Sequence, residues 1–293
     1  MADYVISAVI AWAEQRELSL KGLSAGVIGC GRIGSRVVHR LRALGVECLE
    51  HDPPLSEVDG SMRCRTLEEA LRADLVTLHA PLTREGRHAT WGLLTAQRLQ
   101  LLKRESLFIN TARGGIVDEK ALTRWLRQHA EGGAAVDCWE NEPFIDEHLL
   151  RQVRWGTAHI AGYSEDAKQA ATEMLLHALC AHLKVQAPPV QLRAGDDHVP
   201  PAIEIGSDVD DTQAVRAAVF SCYDVRVDAQ ALRALSGLRP VQLAKAFDDL
   251  RAGYGPRREF SAYRVILDKN RADLARVLSS LGFQVRDRDQ ADA

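Results

Sequence analysis

Four polar residues in the middle of the chain have the types and spacing of an acid–base site that also binds an anion. Arg113 follows the predicted buried strand Leu107–Ile109 in the segment NTARGGIVDE. Asp137 ends the next predicted strand, Glu142 lies five residues later in DCWENEP, and His159 ends the strand after that. At the carboxyl edge of a parallel sheet, a guanidinium can bind a carboxylate or a 2-keto acid, and an imidazole can transfer a proton near neutral pH.

Each of these residues also has an ordinary structural interpretation. An arginine in a turn is most often a surface residue, an aspartate after a strand can cap a turn, and a lone histidine is most often packed or solvated. The position of each residue taken alone favours these ordinary interpretations, whereas the four residues taken together favour a functional site. An acid at Asp137 would suit the carboxamide of a nicotinamide. His79, which also ends a strand, is interpreted as lining a cofactor cleft rather than as catalytic.

A glycine-rich turn indicates a dinucleotide. Gly29, Gly31 and Gly34 form G-x-G-x-x-G directly after the predicted strand Ala25–Ile28 and at the start of a predicted helix. The glycines permit a tight turn, close approach of a pyrophosphate and close helix–strand packing, and the helix offers its free N–H groups. Asp52 ends the next strand and can accept the ribose hydroxyls, while two prolines rather than an arginine follow it. The pattern therefore favours NAD over NADP.

The elements that position these residues alternate between strand and helix from Ser24 to about Ala187. This alternation predicts an α/β fold with a doubly wound parallel sheet of the Rossmann type. The predicted strands are Ala25–Ile28, Val46–Leu49, Asp74–His79, Leu107–Ile109, Ala134–Val136 and Thr157–Ile160, and the clearest helices are Ile33–Leu44, Leu93–Leu102, Ala121–His129 and Glu165–Lys184. A smaller α+β unit is predicted after a proline-rich linker.

Composition excludes several classes of protein. The 293 residues are 46% hydrophobic and 26% charged with a net charge of -3, which argues against disorder and against a nucleic-acid binder. The six cysteines are scattered and include no C-x-x-C pair, so neither a metal site nor disulfides are predicted. This cysteine usage predicts a cytoplasmic protein. The apolar stretch Tyr4–Ala13 is too short to span a bilayer, and no membrane partner is predicted.

In their order along the chain, the glycine turn, NTARGG, DCWENEP and HIAGYS resemble the D-2-hydroxyacid dehydrogenases. The resemblance implies that Arg113, Glu142 and His159 are catalytic. It also implies that Tyr163, together with the arginine, contacts a small-molecule substrate. NAD is the implied cofactor, and its implied contacts are Gly29, Gly31, Arg32, Ile33, Gly34, Asp52, Ala80, Thr111, Ala112, Arg113, Asp137 and Gly162.

The tail resembles one branch of this family more specifically. The segments YDVRVDAQALRAL and FDDLRAGYGPRREFSAYRV are similar to a C-terminal dimerisation domain whose parent enzymes oxidise 4-phosphoerythronate on a route to pyridoxal phosphate. A homodimer is implied. The alternatives are a dehydrogenase acting on glycerate or phosphoglycerate, and a non-catalytic NAD-binding module. Arg251, Arg257 or Arg258 is a hypothetical partner for the substrate phosphate, and an exposed basic turn is an equal alternative.

The resemblance also suggests how the chain is divided. The expected segments are a remnant helix of the substrate-binding lobe (1–22), the NAD-binding domain (23–163), a return helix to that lobe (164–187), a linker (188–201) and the C-terminal α+β dimerisation domain (202–293). Family members begin with a substrate-binding lobe, so a misplaced start codon or a truncated gene is expected here. We also expect Tyr4–Trp12 to lose neighbours and to expose its apolar face.

Overall fold

The computed structural model describes residues 1–60, 63–188, 200–268 and 270–288. The helices are α1 (Ala2–Gln15), α2 (Arg32–Ala43), α3 (Pro53–Val58), α4 (Leu67–Leu71), α5 (Ala96–Leu99), α6 (Glu119–Gln128), α7 (Glu147–Gln152), α8 (Glu165–Leu183), α9 (Asp211–Cys222), α10 (Val225–Arg233), α11 (Pro240–Ala252) and α12 (Ala272–Leu281). The strands are β1 (Ser24–Ile28), β2 (Glu47–His51), β3 (Leu75–Leu78), β4 (Leu107–Asn110), β5 (Gly133–Val136), β6 (Trp155–Gly156), β7 (Ile203–Glu204), β8 (Arg264–Leu267) and β9 (Gln284–Asp287).

Contacts divide the chain into two compact units. The first contains Met1–Ala161 and Asp224–Tyr254, and the second contains Gly162–Tyr223 and Gly255–Ala293. The contacts thus place α10 and α11 in the first unit, whereas the sequence suggests a single tail domain from 202 to 293. Of the predicted linker, residues 189–199 lie outside the described residues. The predicted domain boundaries remain a prediction.

A parallel sheet organises the first unit. Its six strands within the described residues have the order β2-β1-β3-β4-β5-β6. The chain runs from β1 outward to β2 and then returns to the other side of β1 to form β3, so the winding direction switches between β1 and β3. Ligands of such sheets bind in the crevice at this switch, beyond the carboxyl ends of the strands. The predicted doubly wound α/β class is confirmed.

The first helix is buried, contrary to the expected exposure of its apolar face. Tyr4 is 0% and Trp12 2% exposed, because α1 packs against α2 and α10 within the first unit. Two buried polar residues of this helix also have partners: Asp3 pairs with Arg40, and the Ser7 hydroxyl accepts a hydrogen bond from the backbone N–H of Val225 at 3.0 Å. Within the described part of the chain, no helix combines the length and apolar character needed to cross a membrane.

Two predicted elements of the first unit are wrong in extent. The helix predicted over Leu93–Leu102 is a single turn, α5, whose start is capped by the Thr95 side chain. The strand predicted over Thr157–Ile160 is instead β6, which ends at Gly156. Thr157 still donates its N–H to the Val136 carbonyl, but the chain then leaves the sheet, and the N–H groups of Ile160 and Ala161 bond to the buried carboxylate of Asp137.

The second unit is built on a smaller sheet. Its strands are parallel in the order β7-β8-β9. Phe260 and Phe283 stack at a centroid distance of 4.8 Å in its core. The N-cap of helix α8 is Ser164, whose hydroxyl accepts a hydrogen bond from the N–H of Ala167. This unit agrees with the α+β character expected from the sequence.

Candidate active site

The glycine turn lies where the sheet reverses its winding direction. Gly29 has φ +88°, and a Cβ atom there would lie 2.5 Å from the backbone nitrogen of Ala80, at the end of β3. A Cβ atom on Gly34 would lie 1.9 Å from the Gly29 carbonyl oxygen. By contrast, a Cβ atom on Gly31 would meet no atom within 4 Å. Two of the glycines are therefore required by packing, whereas the third faces open space.

That open space adjoins the start of α2. Gly31 is the N-cap of this helix and has no side chain to accept from its first N–H groups. The predicted contacts Arg32, Ile33 and Gly34 form the first turn, so their N–H groups and the helix dipole favour an anion. A pyrophosphate fits this arrangement, because the glycine leaves room for it against the backbone.

A cavity of about 540 Å³ continues from the glycine turn and is lined by Gly29, Asp52 and Ala80 among others. One oxygen of Asp52 accepts the N–H of Cys30 at 2.8 Å, and the other accepts the N–H of Leu55 at 3.0 Å. These bonds hold the carboxylate at the cavity wall. The lining matches the predicted position of an adenosine, whose ribose would meet Asp52.

Two arginines that sequence adjacency could not reveal also line this cavity. Arg87 pairs with Glu57 at 3.2 Å, and Arg98 donates to the carbonyl of Leu93 at 2.7 Å. Both guanidinium groups thus have partners within the protein. Although no arginine directly follows Asp52 in the sequence, the folded cavity contains two arginines from other segments.

A second cavity, of about 260 Å³, brings the three predicted catalytic residues together. Its lining comprises Leu82, Arg84, Trp91, Arg113, Gly114, Gly115, Trp139, Glu140, Asn141, Glu142 and His159. The Arg113 guanidinium donates to the neighbouring carbonyl of Ala112 at 2.6 Å. No carboxylate within the described residues pairs with Arg113, so its remaining N–H groups can bind an anionic ligand.

His159 and Glu142 form a close pair in this cavity. The imidazole Nδ1 lies 2.7 Å from Glu142 Oε2, and the other carboxylate oxygen accepts the Trp139 N–H at 2.8 Å. About a quarter of the His159 side chain remains exposed. A carboxylate on Nδ1 fixes the tautomer and leaves Nε2 for proton transfer. The Cys138 thiol lies 3.7 Å from that Nε2, a neighbour that sequence spacing did not single out.

Asp137 is buried and is not among the residues that line this cavity. It is 1% exposed and accepts hydrogen bonds from the Thr157 hydroxyl at 2.6 Å and from the N–H groups of Ile160 and Ala161 at 2.8 and 3.0 Å. Tyr4 contacts the same threonine hydroxyl at 3.0 Å. Burial raises the pKa of Asp137 despite these hydrogen bonds. The carboxylate thus anchors the loop that carries His159, whose φ of +55° is costly for a non-glycine residue.

Asn110, at the end of β4, is a site residue that the sequence reasoning missed. Its side-chain N–H groups donate to the carbonyls of Arg113 and Cys138, both at 3.2 Å, and its side-chain oxygen accepts the N–H of Ala112 at 3.1 Å. One buried amide therefore joins the arginine turn to the turn that leads to Glu142. Its position before the Thr-Ala-Arg-Gly-Gly segment was the available signal.

The surroundings of His79 keep its imidazole neutral and hydrogen-bonded to protein groups. Its ring lies between the hydroxyl groups of Thr77, at 3.0 Å from Nε2, and Thr111, at 3.4 Å from Nδ1. Burial lowers its pKa to about 3, so the ring stays neutral at physiological pH. This placement agrees with its interpretation as a non-catalytic residue, and it assigns the buried Thr111 hydroxyl to a protein partner.

Of the remaining predicted residues, Arg251 lies on α11 in the first unit and the others lie in the second unit. Gly162 and Tyr163 begin it, and the Lys168 ammonium lies 5.2 Å from the centroid of the tyrosine ring. Arg258 donates to both carboxylate oxygens of Asp166 at 2.9 to 3.1 Å. Arg257 is 9% exposed and lies 4.5 Å from the ring centroid of Tyr223. Lys168, Arg257 and Arg258 therefore each have a partner within the second unit.

Glu119, at the start of α6, is a further buried acid beside the active-site loop. It is 7% exposed, and its Oε1 accepts the N–H of Glu140 at 2.7 Å. Burial, reinforced by the negative charges of Glu140, Asp146 and Glu142, raises its pKa from 4.5 to about 8. The folded protein thus holds a proton here that the unfolded chain releases above pH 4.5.

We expect the stability of the protein to fall as pH rises between these two pKa values, because the folded state binds the extra proton. The variant Glu119→Gln keeps an oxygen for the Glu140 N–H but does not titrate, so its stability should vary less over this range. At about 1.4 kcal/mol per pKa unit, the difference is on the order of a few kcal/mol. Urea unfolding at several pH values measures it. Parallel pH profiles of the two proteins would contradict this expectation.

Comparisons with known proteins were made by family and by individual chain. A model described as the NAD-binding domain of D-isomer specific 2-hydroxyacid dehydrogenases matches residues 8–161. A second model, described as a domain of unknown function (DUF3410), matches residues 197–282. Together these matches extend over most of the chain.

Curated relatives are similar along almost the whole chain. An erythronate-4-phosphate dehydrogenase of Hahella chejuensis is 36% identical over 288 residues, which cover 97% of this chain and 74% of the relative. One of Chromohalobacter salexigens is 37% identical over 290 residues, covering 98% and 74%. The chain thus spans about three quarters of the length of these relatives.

Solved structures share the fold. A D-lactate dehydrogenase from Aquifex aeolicus, complexed with NAD and lactic acid, has a TM-score of 0.51 and 26% identity and covers 63% of this chain and 66% of its own. A D-isomer specific 2-hydroxyacid dehydrogenase from Lactobacillus delbrueckii, in its NAD-complexed form, has a TM-score of 0.51 and 23% identity and covers 64% and 68%. The second, at this identity, shows the fold alone.

Proposed function

Because the chain belongs to the D-isomer specific 2-hydroxyacid dehydrogenases, which are NAD-dependent oxidoreductases, we propose that it oxidises 4-phospho-D-erythronate at C2. The product is (R)-3-hydroxy-2-oxo-4-phosphooxybutanoate, in the biosynthesis of pyridoxal 5'-phosphate. Support for this substrate comes from the relatives named erythronate-4-phosphate dehydrogenase, which align with 97% of this chain. The observation that carries the chemistry is the single cavity shared by Arg113, Glu142 and His159.

In the proposed reaction, Gly29, Asp52 and the first turn of α2 would hold NAD+, which would supply the acceptor for the hydride from C2. His159 takes the hydroxyl proton on Nε2, because its Nδ1 is held by Glu142 at 2.7 Å. Arg113 binds the C1 carboxylate and the 2-hydroxyl through parallel N–H donors. The C2–H bond thus breaks with its electron pair, and the C2–O bond becomes a carbonyl.

The remaining residue roles are proposals from the family. Asp52 accepts the adenosine ribose, and Asp137 acts beside the nicotinamide in addition to anchoring the His159 loop. Tyr163 contacts the substrate. A homodimer formed through residues 202–293, in the cytoplasm, completes the proposal, and sedimentation velocity of the purified chain tests the dimer.

The function is tested by following NADH absorbance with 4-phospho-D-erythronate and a 2-keto acid that reoxidises the cofactor. We expect turnover with this substrate and a markedly lower kcat/KM with D-glycerate and 3-phosphoglycerate. A preference for either of these would assign the chain to the other dehydrogenase branch. NADH binding without turnover of any 2-hydroxy acid would instead indicate a non-catalytic NAD-binding module.

A further inference from the structure

A second guanidinium faces the small cavity and has no acid partner among the described residues. Arg84 lies in the loop after β3, with its guanidinium carbon 3.7 Å from the ring centroid of Trp91. Both side chains line the same 260 Å³ cavity as Arg113 and His159. Its contact is thus an aromatic face, which orients a guanidinium without occupying its N–H groups.

The aromatic platform under Arg84 is held in place. A Cβ atom on Gly115 would lie 2.4 Å from the Trp91 ring, so the indole packs directly over the turn that follows Arg113. The loop is also closed by hydrogen bonds: the Trp91 N–H donates to the Thr83 carbonyl at 2.9 Å. Arg84 is therefore presented from a fixed loop, at the wall of the cavity that contains the predicted catalytic residues.

The acidic side chains that line the cavity leave the Arg84 guanidinium available to a ligand. Of its acids, Glu142 is engaged by His159 and by a backbone N–H, and Glu140 forms no ion pair with Arg84 within the described residues. The neighbouring Arg87, in contrast, pairs with Glu57. The lining of the cavity thus offers two cations, Arg84 and Arg113, for anionic groups.

We propose that Arg84, stacked on Trp91, binds the phosphate of the substrate while Arg113 binds its carboxylate. This inference rests on the proposed function, and it specifies the substrate class as a 2-hydroxy acid with a second anionic group. The planar fork of an arginine suits two parallel hydrogen bonds to phosphate oxygens. Arg84 takes the place of Arg257 and Arg258 as the assigned phosphate partner, since those two arginines are engaged within the second unit.

The test compares the affinities of 4-phospho-D-erythronate and D-erythronate for the full chain saturated with NADH, by calorimetry. The wild-type protein should prefer the phosphorylated ligand by about ten- to a hundredfold, the usual worth of charge-assisted hydrogen bonds. Arg84→Gln should lose most of this preference while D-erythronate affinity stays unchanged. Arg124→Gln, an exposed arginine on α6 that lines neither cavity, is the matched control and should keep the preference.

Trp91 supplies an independent signal, because it is 43% exposed whereas the other tryptophans are buried. Its emission should change on adding 4-phospho-D-erythronate, and this change should disappear in Trp91→Phe while the affinity persists. A full phosphate preference in Arg84→Gln would overturn the inference and leave the proposed function standing. If the wild-type protein binds neither ligand, the proposed function fails and the inference fails with it.

Discussion

Replacing His159 by glutamine is expected to lower kcat for 4-phospho-D-erythronate by about 10²- to 10⁴-fold, the usual contribution of a positioned base. Glutamine can hydrogen-bond to Glu142 but cannot take the hydroxyl proton. Initial rates of NADH formation at saturating substrate measure the effect. NADH affinity should be unchanged, because the histidine is not among the residues that line the 540 Å³ cavity.

Two further variants sharpen this result. Glu142→Gln should lower kcat less, since it removes the charge that orients the imidazole rather than the base itself. His148→Gln, an exposed histidine at the start of α7, is the matched control and should behave as the wild-type enzyme. A positioned general base usually raises kcat by at least about a hundredfold. If His159→Gln kept more than about a tenth of the wild-type kcat, the assignment of His159 as the base would therefore be wrong.

Replacing Gly34 by alanine is expected to destabilise the first unit by about 3 kcal/mol or more, at the upper end of overpacking effects. The added Cβ atom would lie 1.9 Å from the Gly29 carbonyl oxygen and 2.9 Å from its carbonyl carbon. Both are backbone atoms, so α2 or the glycine turn must move. The shift in the urea unfolding midpoint measures the loss.

Gly31→Ala is the matched control in the same turn. Its Cβ atom would meet nothing within 4 Å, so the unfolding midpoint should fall far less than in Gly34→Ala, by the modest cost of alanine at an N-cap. NADH affinity should nevertheless fall, because the methyl group would occupy the space next to the first turn of α2. Equal stability of the Gly34→Ala and wild-type proteins would contradict the packing argument. Unchanged NADH affinity in Gly31→Ala would contradict the assignment of the pyrophosphate.

Much of the fold follows from local patterns. The predicted family, the doubly wound α/β class and NAD as cofactor are confirmed. Short apolar runs identified β1, β3, β4 and β5, because a strand buried on both faces needs no polar residues. The edge strand β2 was also predicted, although it is only partly buried. The prediction was wrong for β6, because the chain leaves the sheet where the Thr157 hydroxyl and the N–H groups of Ile160 and Ala161 bond to Asp137. A side chain 20 residues away decided where that strand ends.

The sequence likewise predicted only part of the candidate site. Arg113, Glu142 and His159 were singled out because strand ends of a parallel sheet share one edge, and the structure places them in one cavity. Arg84 and Trp91 lie in a long loop without a motif, so their contact across that loop was invisible to sequence spacing. The role of Asn110 was missed for a similar reason, since it depends on two turns that meet only in the folded chain.

By itself, the sequence determined the family, the cofactor class and the glycine turn, because these depend on residue types within short segments and on the absence of a Cβ atom. Only the tertiary structure decided what surrounds the histidine. Tyr4 on α1 reaches Thr157 across 153 residues, and that threonine donates to the carboxylate that holds the His159 loop. The tertiary structure also buries α1, whose apolar face the sequence predicted to be exposed. Contacts between distant segments form only when the chain packs, so no local pattern encodes them.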